Sequence, residues 1–299
     1  MHISGVDEYQ AMYAASIANP DKFFADLATE LVAWSSPFVQ TSYGDFMHGN
    51  VAWFLGGKLN VAYNCIDRHA MVAPHSVAIV YEADEPGNSK SITYSQLLAQ
   101  VCAFANALIK LQVRKGDIVA IYMPMVPEAA IAMLACARIG AVHSVIFAGF
   151  SAEAVRDRVI DAACKVIITA DQGRRGGKTV HLKHIVDEAV KNYAIQNIIV
   201  FQRTADPSVN FQEGRDVWWH DIVANQRPYC PAESMCSEDP LFLLYTSGST
   251  GKPKGVVHTQ AGYLLGATAT CKYVFDLKKG DVHGCMADIG WITGHTYIV

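Results

Sequence analysis

Residues 245–258 of this chain read YTSGSTGKPKGVVH, and this stretch is the most informative part of the sequence. It crowds hydroxyl side chains, glycines and two lysines into a short segment, and glycine lets a backbone approach an anion closely. Successive backbone N–H groups in such a loop form a concave anion site, to which lysines add charge. The stretch therefore predicts a phosphate-binding loop. The residues expected to form it are Thr246, Ser247, Gly248, Ser249, Thr250, Gly251, Lys252, Lys254 and Gly255.

The flanks of this loop favour a strand on each side. Residues 241–245 and 255–258 are largely apolar and bounded by turn residues. The G-x-x-x-x-G-K-[ST] loop of kinases and GTPases does not fit, because Thr246 stands in place of its first glycine and Pro253 follows Lys252. The proline also biases Lys252 away from helical backbone. A mobile Ser/Gly surface linker is the alternative, and apolar strands on both sides of the loop disfavour it.

Strands and helices alternate along the rest of the chain. Residues 94–111 carry apolar side chains at helical spacing, Pro127 suits the first turn of a helix ending near Arg138, and Ser151 is placed to cap another. Residues 204–236 predict an irregular surface excursion. Further strands are expected at 117–123, 141–148, 165–170 and 197–202. This alternation implies βαβ units and a largely parallel sheet of the α/β class.

Composition excludes several classes of protein. The 299 residues are 51% hydrophobic with a net charge of -4, which disfavours a nucleic-acid partner. The sequence shows neither a membrane-length apolar run nor a secretory signal, so we expect a cytoplasmic protein without membrane contact. The eight cysteines and eleven histidines lack metal-type spacing, so we predict no protein-held metal site. A dinucleotide oxidoreductase is disfavoured because no G-x-G-x-x-G motif occurs.

The phosphate loop resembles the signature loop of the adenylate-forming enzymes, which include acyl-CoA synthetases, luciferases and peptide-synthetase adenylation domains. Three further stretches are similar to the acetyl-CoA synthetase family: residues 53–69 (WFLGGKLNVAYNCIDRH), 138–151 (RIGAVHSVIFAGFS) and 287–299 (ADIGWITGHTYIV). The resemblance runs from about residue 5 to the last residue. It implies the N-terminal part of the large domain of the adenylate-forming fold, with βαβ units and mixed sheets, and without the small C-terminal domain.

The resemblance also implies domains, substrates and chemistry. Residues 1–75 correspond to the N-terminal extension of the family and residues 76–299 to an incomplete AMP-binding domain. An acetate–CoA ligase joins acetate to ATP as an acetyl-adenylate, releasing pyrophosphate, and coenzyme A then displaces AMP. ATP, CoA and Mg²⁺ travelling with ATP are the implied cofactors.

Several motifs of the family are missing from this sequence: the magnesium glutamate, the ribose aspartate and the catalytic lysine. We therefore expect a truncated piece that is inactive alone. A ligase for propionate or another short-chain acid remains an alternative, as does a non-catalytic nucleotide- or CoA-binding fragment. The sequence leaves the oligomeric state open.

A basic segment at residues 173–178, GRRGGK, is a second candidate site, since the arginine fork suits bidentate phosphate recognition. The resemblance implies that it binds the phosphorylated ADP moiety of CoA. A solvated basic turn is the alternative. The CoA-binding residues carried over by position are Arg175, Gly176, Gly177, Lys178 and Thr293.

The segment from Asp288 to His295, DIGWITGH, is expected to begin where a strand ends. The resemblance implies that Trp291, Ile292 and Thr293 line a small acyl pocket. The alternative for Trp291 is an ordinary core aromatic. In the N-terminal extension, the run from Asp67 to His69 predicts a structural ion pair that anchors the extension rather than a charge relay.

Overall fold

The computed structural model describes residues 2–85, 87–246 and 251–298, and strands alternate with helices through its centre. The helices are α1 (Val6–Ala18), α2 (Pro20–Leu31), α3 (Arg68–Ala70), α4 (Tyr94–Lys110), α5 (Pro127–Arg138), α6 (Ala152–Asp161), α7 (Leu182–Val190), α8 (Trp219–Val223), α9 (Gln260–Ala269) and α10 (Ile292–Ile298), with π-helical turns at Tyr63–Asp67 and Thr270–Val274. The strands are β1 (Gln40–Asp45), β2 (Asn50–Leu55), β3 (Lys58–Leu59), β4 (Val77–Glu82), β5 (Ser89–Thr93), β6 (Ile118–Tyr122), β7 (Val142–Val145), β8 (Val166–Ala170), β9 (Gly173–Arg175), β10 (Lys178–Val180), β11 (Asn197–Phe201), β12 (Asp216–Trp218), β13 (Met235–Cys236), β14 (Pro240–Thr246) and β15 (Lys254–Thr259).

A seven-stranded sheet with the order β12-β11-β8-β6-β7-β14-β15 forms the centre. Neighbouring strands from β12 to β14 run parallel, and β15 is antiparallel to β14. Every residue of β7 and β8 is buried, as expected for parallel strands covered on both faces. All residues of helix α5 except Glu128 are buried, and the helix packs against α4. The α/β class and the mixed sheet are therefore confirmed.

Capping residues mark the starts of two helices at or next to the positions that the sequence predicts. Thr93 and Gln96 form a capping box at the start of α4, and the Ser151 hydroxyl accepts a hydrogen bond from Ala154 N–H at the start of α6. The strand predicted at 141–148 is shorter than expected. It ends at Val145, because the chain turns out of the sheet, with Phe150 N–H bonded to the Phe147 carbonyl.

The prediction of an irregular surface excursion at 204–236 is partly wrong. Strand β12 lies in this stretch and pairs in parallel with β11 at the edge of the main sheet. The ring of Trp219, at the start of α8, stacks on Phe104 of α4 with centroids 3.6 Å apart. Burial of an aromatic ring this size draws the segment onto the domain.

The N-terminal residues are attached to the main domain by buried polar contacts. Asp67 accepts two hydrogen bonds from the Arg138 guanidinium at 2.8 and 2.9 Å, and Arg138 is 3% exposed. Asn60 donates to the Ala137 and Arg138 carbonyls, at the end of α5. The predicted structural ion pair is confirmed, and Arg138 is the partner of Asp67. In the described part of the chain, no helix combines the length and apolar character needed to cross a bilayer.

Candidate functional site

The predicted phosphate loop lies between two paired strands at the edge of the main sheet. Thr246 of β14 lies opposite Lys254 of β15, and Tyr245 lies opposite Gly255, so the predicted strand–loop–strand arrangement is confirmed. Gly251 has a φ of 82°, in the region that favours glycine, and the Lys252 and Lys254 residues are exposed. The predicted loop residues Ser247, Gly248, Ser249 and Thr250 lie outside the described residues.

The base of this hairpin is held against α6 by Tyr245. The Tyr245 hydroxyl donates a hydrogen bond to Asp161 at 2.6 Å, and the Arg158 guanidinium lies over the Tyr245 and Phe150 rings at 5.5 and 4.6 Å. Burial, and then the Asp161 carboxylate, raise the pKa of Tyr245 above its ordinary value. A β carbon on Gly255 would meet the Tyr245 ring at 3.1 Å, so a small residue suits this position. The base of the loop is thus fixed while its lysines face solvent.

The basic segment forms a tight hairpin of β9 and β10. Arg175 pairs with Lys178, and Gly176 and Gly177 make the turn with φ values of 53° and 75°, which side chains rarely adopt. The residues are exposed, as expected for a solvated basic turn as well as for an anion site. However, the Arg175 guanidinium is not free in solvent, because it lies 4.5 Å above the Phe147 ring. The hairpin is therefore placed beside the end of β7.

The segment predicted to line an acyl pocket, residues 288–295, reaches the same aromatic ring. Trp291 lies with its ring centroid 5.7 Å from that of Phe147 and 6.3 Å from that of Phe150. A β carbon on Gly290 would come within 2.6 Å of the Phe147 α carbon, so the close approach requires glycine. Trp291 is 52% exposed, and the alternative that it is a core aromatic is wrong. Ile292 and Thr293 are exposed beside it at the start of α10.

The expectation that a strand precedes Asp288 is wrong. Residues 282–286 have no regular structure, and a turn joins the Asp288 carbonyl to Trp291 N–H at 3.0 Å before α10 begins. The Asp288 side chain folds back to accept from Gly290 N–H at 2.8 Å. Burial raises the pKa of Asp288 above its ordinary value, and the nearby Arg175 opposes that shift.

Phe147 is the residue that joins the two predicted sites, and sequence reasoning missed it. Its ring contacts both the Arg175 guanidinium and the Trp291 indole, which come from segments more than a hundred positions apart. The only signal was its place in the 138–151 stretch, immediately after a strand. The site therefore brings together a cation, an aromatic face and an exposed indole, a combination suited to an anionic ligand with a flat ring.

A buried chain of hydrogen bonds lies behind the acyl segment. The Nε2 atoms of His143 on β7 and His295 on α10 are 2.8 Å apart. His295 Nδ1 is 2.7 Å from the Tyr263 hydroxyl, which donates to Thr296 at 2.8 Å. Thr296 in turn donates to the Ile292 carbonyl at 2.6 Å. The chain therefore links the central sheet to the first turn of α10.

These bonds determine where the protons are. Burial lowers the pKa of His143 to about 3, and burial followed by His143 lowers the pKa of His295 well below its ordinary value. Both rings are therefore neutral, and because the Tyr263 hydroxyl donates to Thr296, it accepts from His295 Nδ1–H. His295 Nε2 is then an acceptor, so His143 donates from Nε2–H. His143 Nδ1 is left as a buried acceptor with no partner in the described structure.

Metal-ligating side chains are not clustered in the part of the chain that the structure describes. No group of three or more His, Cys, Asp or Glu residues there is placed to hold a metal ion. Of the eight thiols, Cys102, Cys136, Cys164 and Cys230 are buried, and burial raises the pKa of each above its ordinary value. These cysteines therefore behave as small apolar side chains.

The α/β fold, with its mixed sheet and edge hairpin, can be compared with known protein families. The sequence profile described as AMP-binding enzyme matches residues 66–299, and this chain belongs to that family. The profile described as acetyl-coenzyme A synthetase N-terminus matches residues 9–65.

Individual relatives agree with this assignment. The acetyl-coenzyme A synthetase of Phycomyces blakesleeanus is 56% identical over 301 residues, covering 100% of this chain and 45% of that protein. Acetyl-coenzyme A synthetase 2 of Saccharomyces cerevisiae is 54% identical, covering 99% of this chain and 44% of that protein. The structure of acetoacetyl-CoA synthetase from Streptomyces lividans has a TM-score of 0.89 at 28% identity, covering 97% of this chain and 44% of that one. The chain thus spans somewhat less than half the length of these relatives.

Proposed function

We propose that this chain contributes to an AMP-forming acetate–CoA ligase. The observation that carries the proposal is the 54–56% identity that extends over essentially the whole chain to curated acetyl-coenzyme A synthetases. The reaction has two steps: an acetate oxygen attacks the α-phosphorus of ATP and pyrophosphate leaves, and the CoA sulfur then attacks the acetyl carbon and AMP leaves. Both steps handle polyanions, and the candidate site supplies cations for them.

The loop from Thr246 to Gly255 is proposed to bind the β and γ phosphates of ATP. Support comes from the hairpin at its base, which Tyr245 fixes on α6, and from the exposed Lys252 and Lys254. Positive charge and backbone N–H groups would stabilise the leaving pyrophosphate. Mg²⁺ would enter with ATP, joined to its phosphates, and would neutralise part of their charge.

The hairpin residues Arg175, Gly176, Gly177 and Lys178, together with Thr293, are proposed to bind CoA. The Arg175 fork is held over Phe147, so a phosphate there would meet a guanidinium whose position is already restricted. The half-buried Phe147 ring beside it is proposed to contact the CoA adenine. The exposed Thr293 lies two positions after Trp291, in the first turn of α10.

Trp291, Ile292 and Thr293 are proposed to shape the pocket for the acyl group. A bulky indole limits the length of the acid by steric exclusion. Because a methylene group is worth only about 1–3 kcal/mol in binding, discrimination between acetate and propionate would be incomplete.

Residues 1–75 are proposed to act as an N-terminal extension attached by the Asp67–Arg138 pair, and residues 76–299 to form the part of the AMP-binding domain that this chain contains. The cytoplasmic location stays a prediction from the sequence.

The experiment that tests this function is a chimera, because the chain spans 45% of the Phycomyces blakesleeanus relative. The matched segment of that enzyme is replaced by this chain, and ATP–pyrophosphate exchange is measured with acetate and with propionate. Acetate-dependent exchange exceeding the propionate rate is the expected result. A folded chimera that prefers propionate would favour the short-chain alternative, and one that binds ATP without any exchange would contradict the proposal.

Titration of the 299-residue chain with CoA and with ATP addresses the non-catalytic alternative. A chain that binds CoA in an Arg175-dependent way, in combination with an inactive chimera, would support a binding role instead. Arg175→Gln is the test variant. Arg227→Gln is the matched control, because Arg227 is an exposed arginine outside the 173–178 segment.

A further inference from the structure

A cleft of about 340 Å³ lies between the β4–β5 hairpin and the end of β11. The residues that follow β11, Arg203 and Thr204, form one wall, and Tyr81 and Lys90 of the hairpin form another. The cleft opens at the carboxyl end of a parallel strand, which is where open α/β sheets usually bind ligands. Its size is in the range of small-molecule sites.

This cleft is separate from the proposed CoA hairpin surface. Successive side chains of a strand point to opposite faces, so Arg174 and Arg175 of β9 face opposite ways. Arg175 lies over Phe147, whereas Arg174 lines the cleft and faces Glu85 at 3.6 Å. A ligand in the cleft would therefore contact neither Phe147 nor Trp291.

The positive charge in the cleft is incompletely neutralised. Three cations line it, Lys90, Arg174 and Arg203, against two carboxylates, Glu85 and Glu128. Every ion pair among them is long: Glu85 lies 3.6 Å from Arg174 and 3.7 Å from Arg203, and Glu128 lies 3.6 Å from Lys90. These distances exceed those of good hydrogen bonds, so the guanidinium donors have capacity for another acceptor.

Among the three cations, Arg203 shows the incomplete neutralisation most clearly. Its side chain is 12% exposed, and its Nη1 is buried with no hydrogen-bond partner among the described residues. Its backbone is held rigidly, because the buried Asp171 accepts hydrogen bonds from the N–H groups of Arg203 at 2.9 Å and Thr204 at 3.1 Å. A buried donor without an acceptor is costly. The other terminal nitrogen, Nη2, makes only the 3.7 Å contact with Glu85 in the described part of the chain, so the Arg203 guanidinium has unused donor capacity beside the cleft.

We propose that this cleft binds a small organic phosphate. The Arg203 and Arg174 forks would hold the phosphate group in a bidentate manner. The cleft exceeds the size of a phosphate ion, and the Tyr81 and Phe201 rings and the Thr204 hydroxyl give the organic part apolar and polar surfaces. The proposal does not depend on the ligase assignment. If that assignment holds, the organic phosphate is a ligand in addition to ATP, acetate and CoA.

Isothermal titration of the 299-residue chain with ribose 5-phosphate and with AMP tests the proposal, with ribose as the neutral control. At least one phosphate ester should bind and ribose should not. Arg203→Gln should weaken binding about tenfold or more, since it removes a charge-assisted donor, while Arg227→Gln should leave it unchanged. Glu85→Gln should tighten binding, because it removes the carboxylate that competes for both arginines.

The AMP titration is repeated with Lys254→Ala, which alters the proposed ATP loop and leaves the cleft intact. Binding that survives Lys254→Ala and is weakened by Arg203→Gln supports the cleft even if the ligase assignment fails. Binding of neither ester, equal binding by the Arg203→Gln chain, or inorganic phosphate binding as tightly as both esters would overturn the proposal. Thermal melting checks that Arg203→Gln folds, which we expect because Arg203 Nη1 has no partner to lose.

Discussion

The Nε2 atoms of His143 and His295 lie 2.8 Å apart in the buried core, on a strand and a helix separated by 152 positions. This contact connects α10 to the centre of the sheet. The first residues of α10 belong to the proposed acyl pocket. It requires a neutral His295 that accepts from His143 Nε2–H, because a protonated His295 would have no lone pair to accept that hydrogen bond. Burial lowers the pKa of His143 and keeps that ring neutral as well.

Acid should therefore weaken the fold through this pair. A histidine whose pKa is lowered on folding binds its proton only in the unfolded state, so stability is full above the unfolded pKa and falls as pH decreases. For His143, with a folded pKa of about 3, the loss is about 1.4 kcal/mol per pH unit below about 6.5. His143→Gln keeps a donor to His295 without the titration, so urea unfolding between pH 7 and 5 should be less pH-dependent for the variant. His75→Gln, at an exposed histidine, serves as control. Identical pH dependence for wild type and His143→Gln would contradict the assignment.

Removal of the Asp67 carboxylate should destabilise the protein strongly. Asp67→Asn leaves the Arg138 guanidinium, which is 3% exposed, without its counter-charge. Breaking a buried pair in this way costs about 3–5 kcal/mol. Asp26→Asn, which breaks the exposed Lys22–Asp26 pair, should cost less than about 1 kcal/mol. Urea denaturation at neutral pH measures both variants, and equal small effects would show that Asp67 does not anchor the extension.

Gly290→Ala should disturb the approach of the acyl segment to Phe147. The added β carbon would come within 2.6 Å of the Phe147 α carbon, so backbone must move. Overpacking of this kind costs about 1–3 kcal/mol and would shift Trp291 away from Phe147. Melting temperature and tryptophan fluorescence report the two effects. Gly284→Ala, with open space around its β carbon, should change neither, and a Gly290→Ala chain that matched it would refute the packing.

Much of the fold follows from local sequence signals. The hairpin around the predicted phosphate loop, the start of α5 at Pro127 and the cap at Ser151 each depend on residues a few positions apart. Such signals act within one element, so the sequence alone predicts them. The extra strand β12 was missed because its pairing with β11 is not encoded in residues 216–218 themselves.

The candidate site was predictable in its parts and not in its assembly. The hairpin turn at Gly176 and the exposed Trp291 were both identified as motifs. That Arg175 of this hairpin and Trp291 both contact Phe147 depends on where β7 ends relative to β9 and α10, which only the complete topology determines. The cleft at Arg203 and the His143–His295 pair escaped sequence reasoning for the same reason.

The most direct test of the ligase assignment is acetate-dependent ATP–pyrophosphate exchange by the chimera carrying Lys254→Ala. Loss of a charge-assisted contact to the ATP phosphates should slow exchange about tenfold or more, and Lys279→Ala, at an exposed lysine, should leave it unchanged. Exchange at the same rate with and without the Lys254 ammonium group would contradict a phosphate-binding role for this loop, and with it the proposed function.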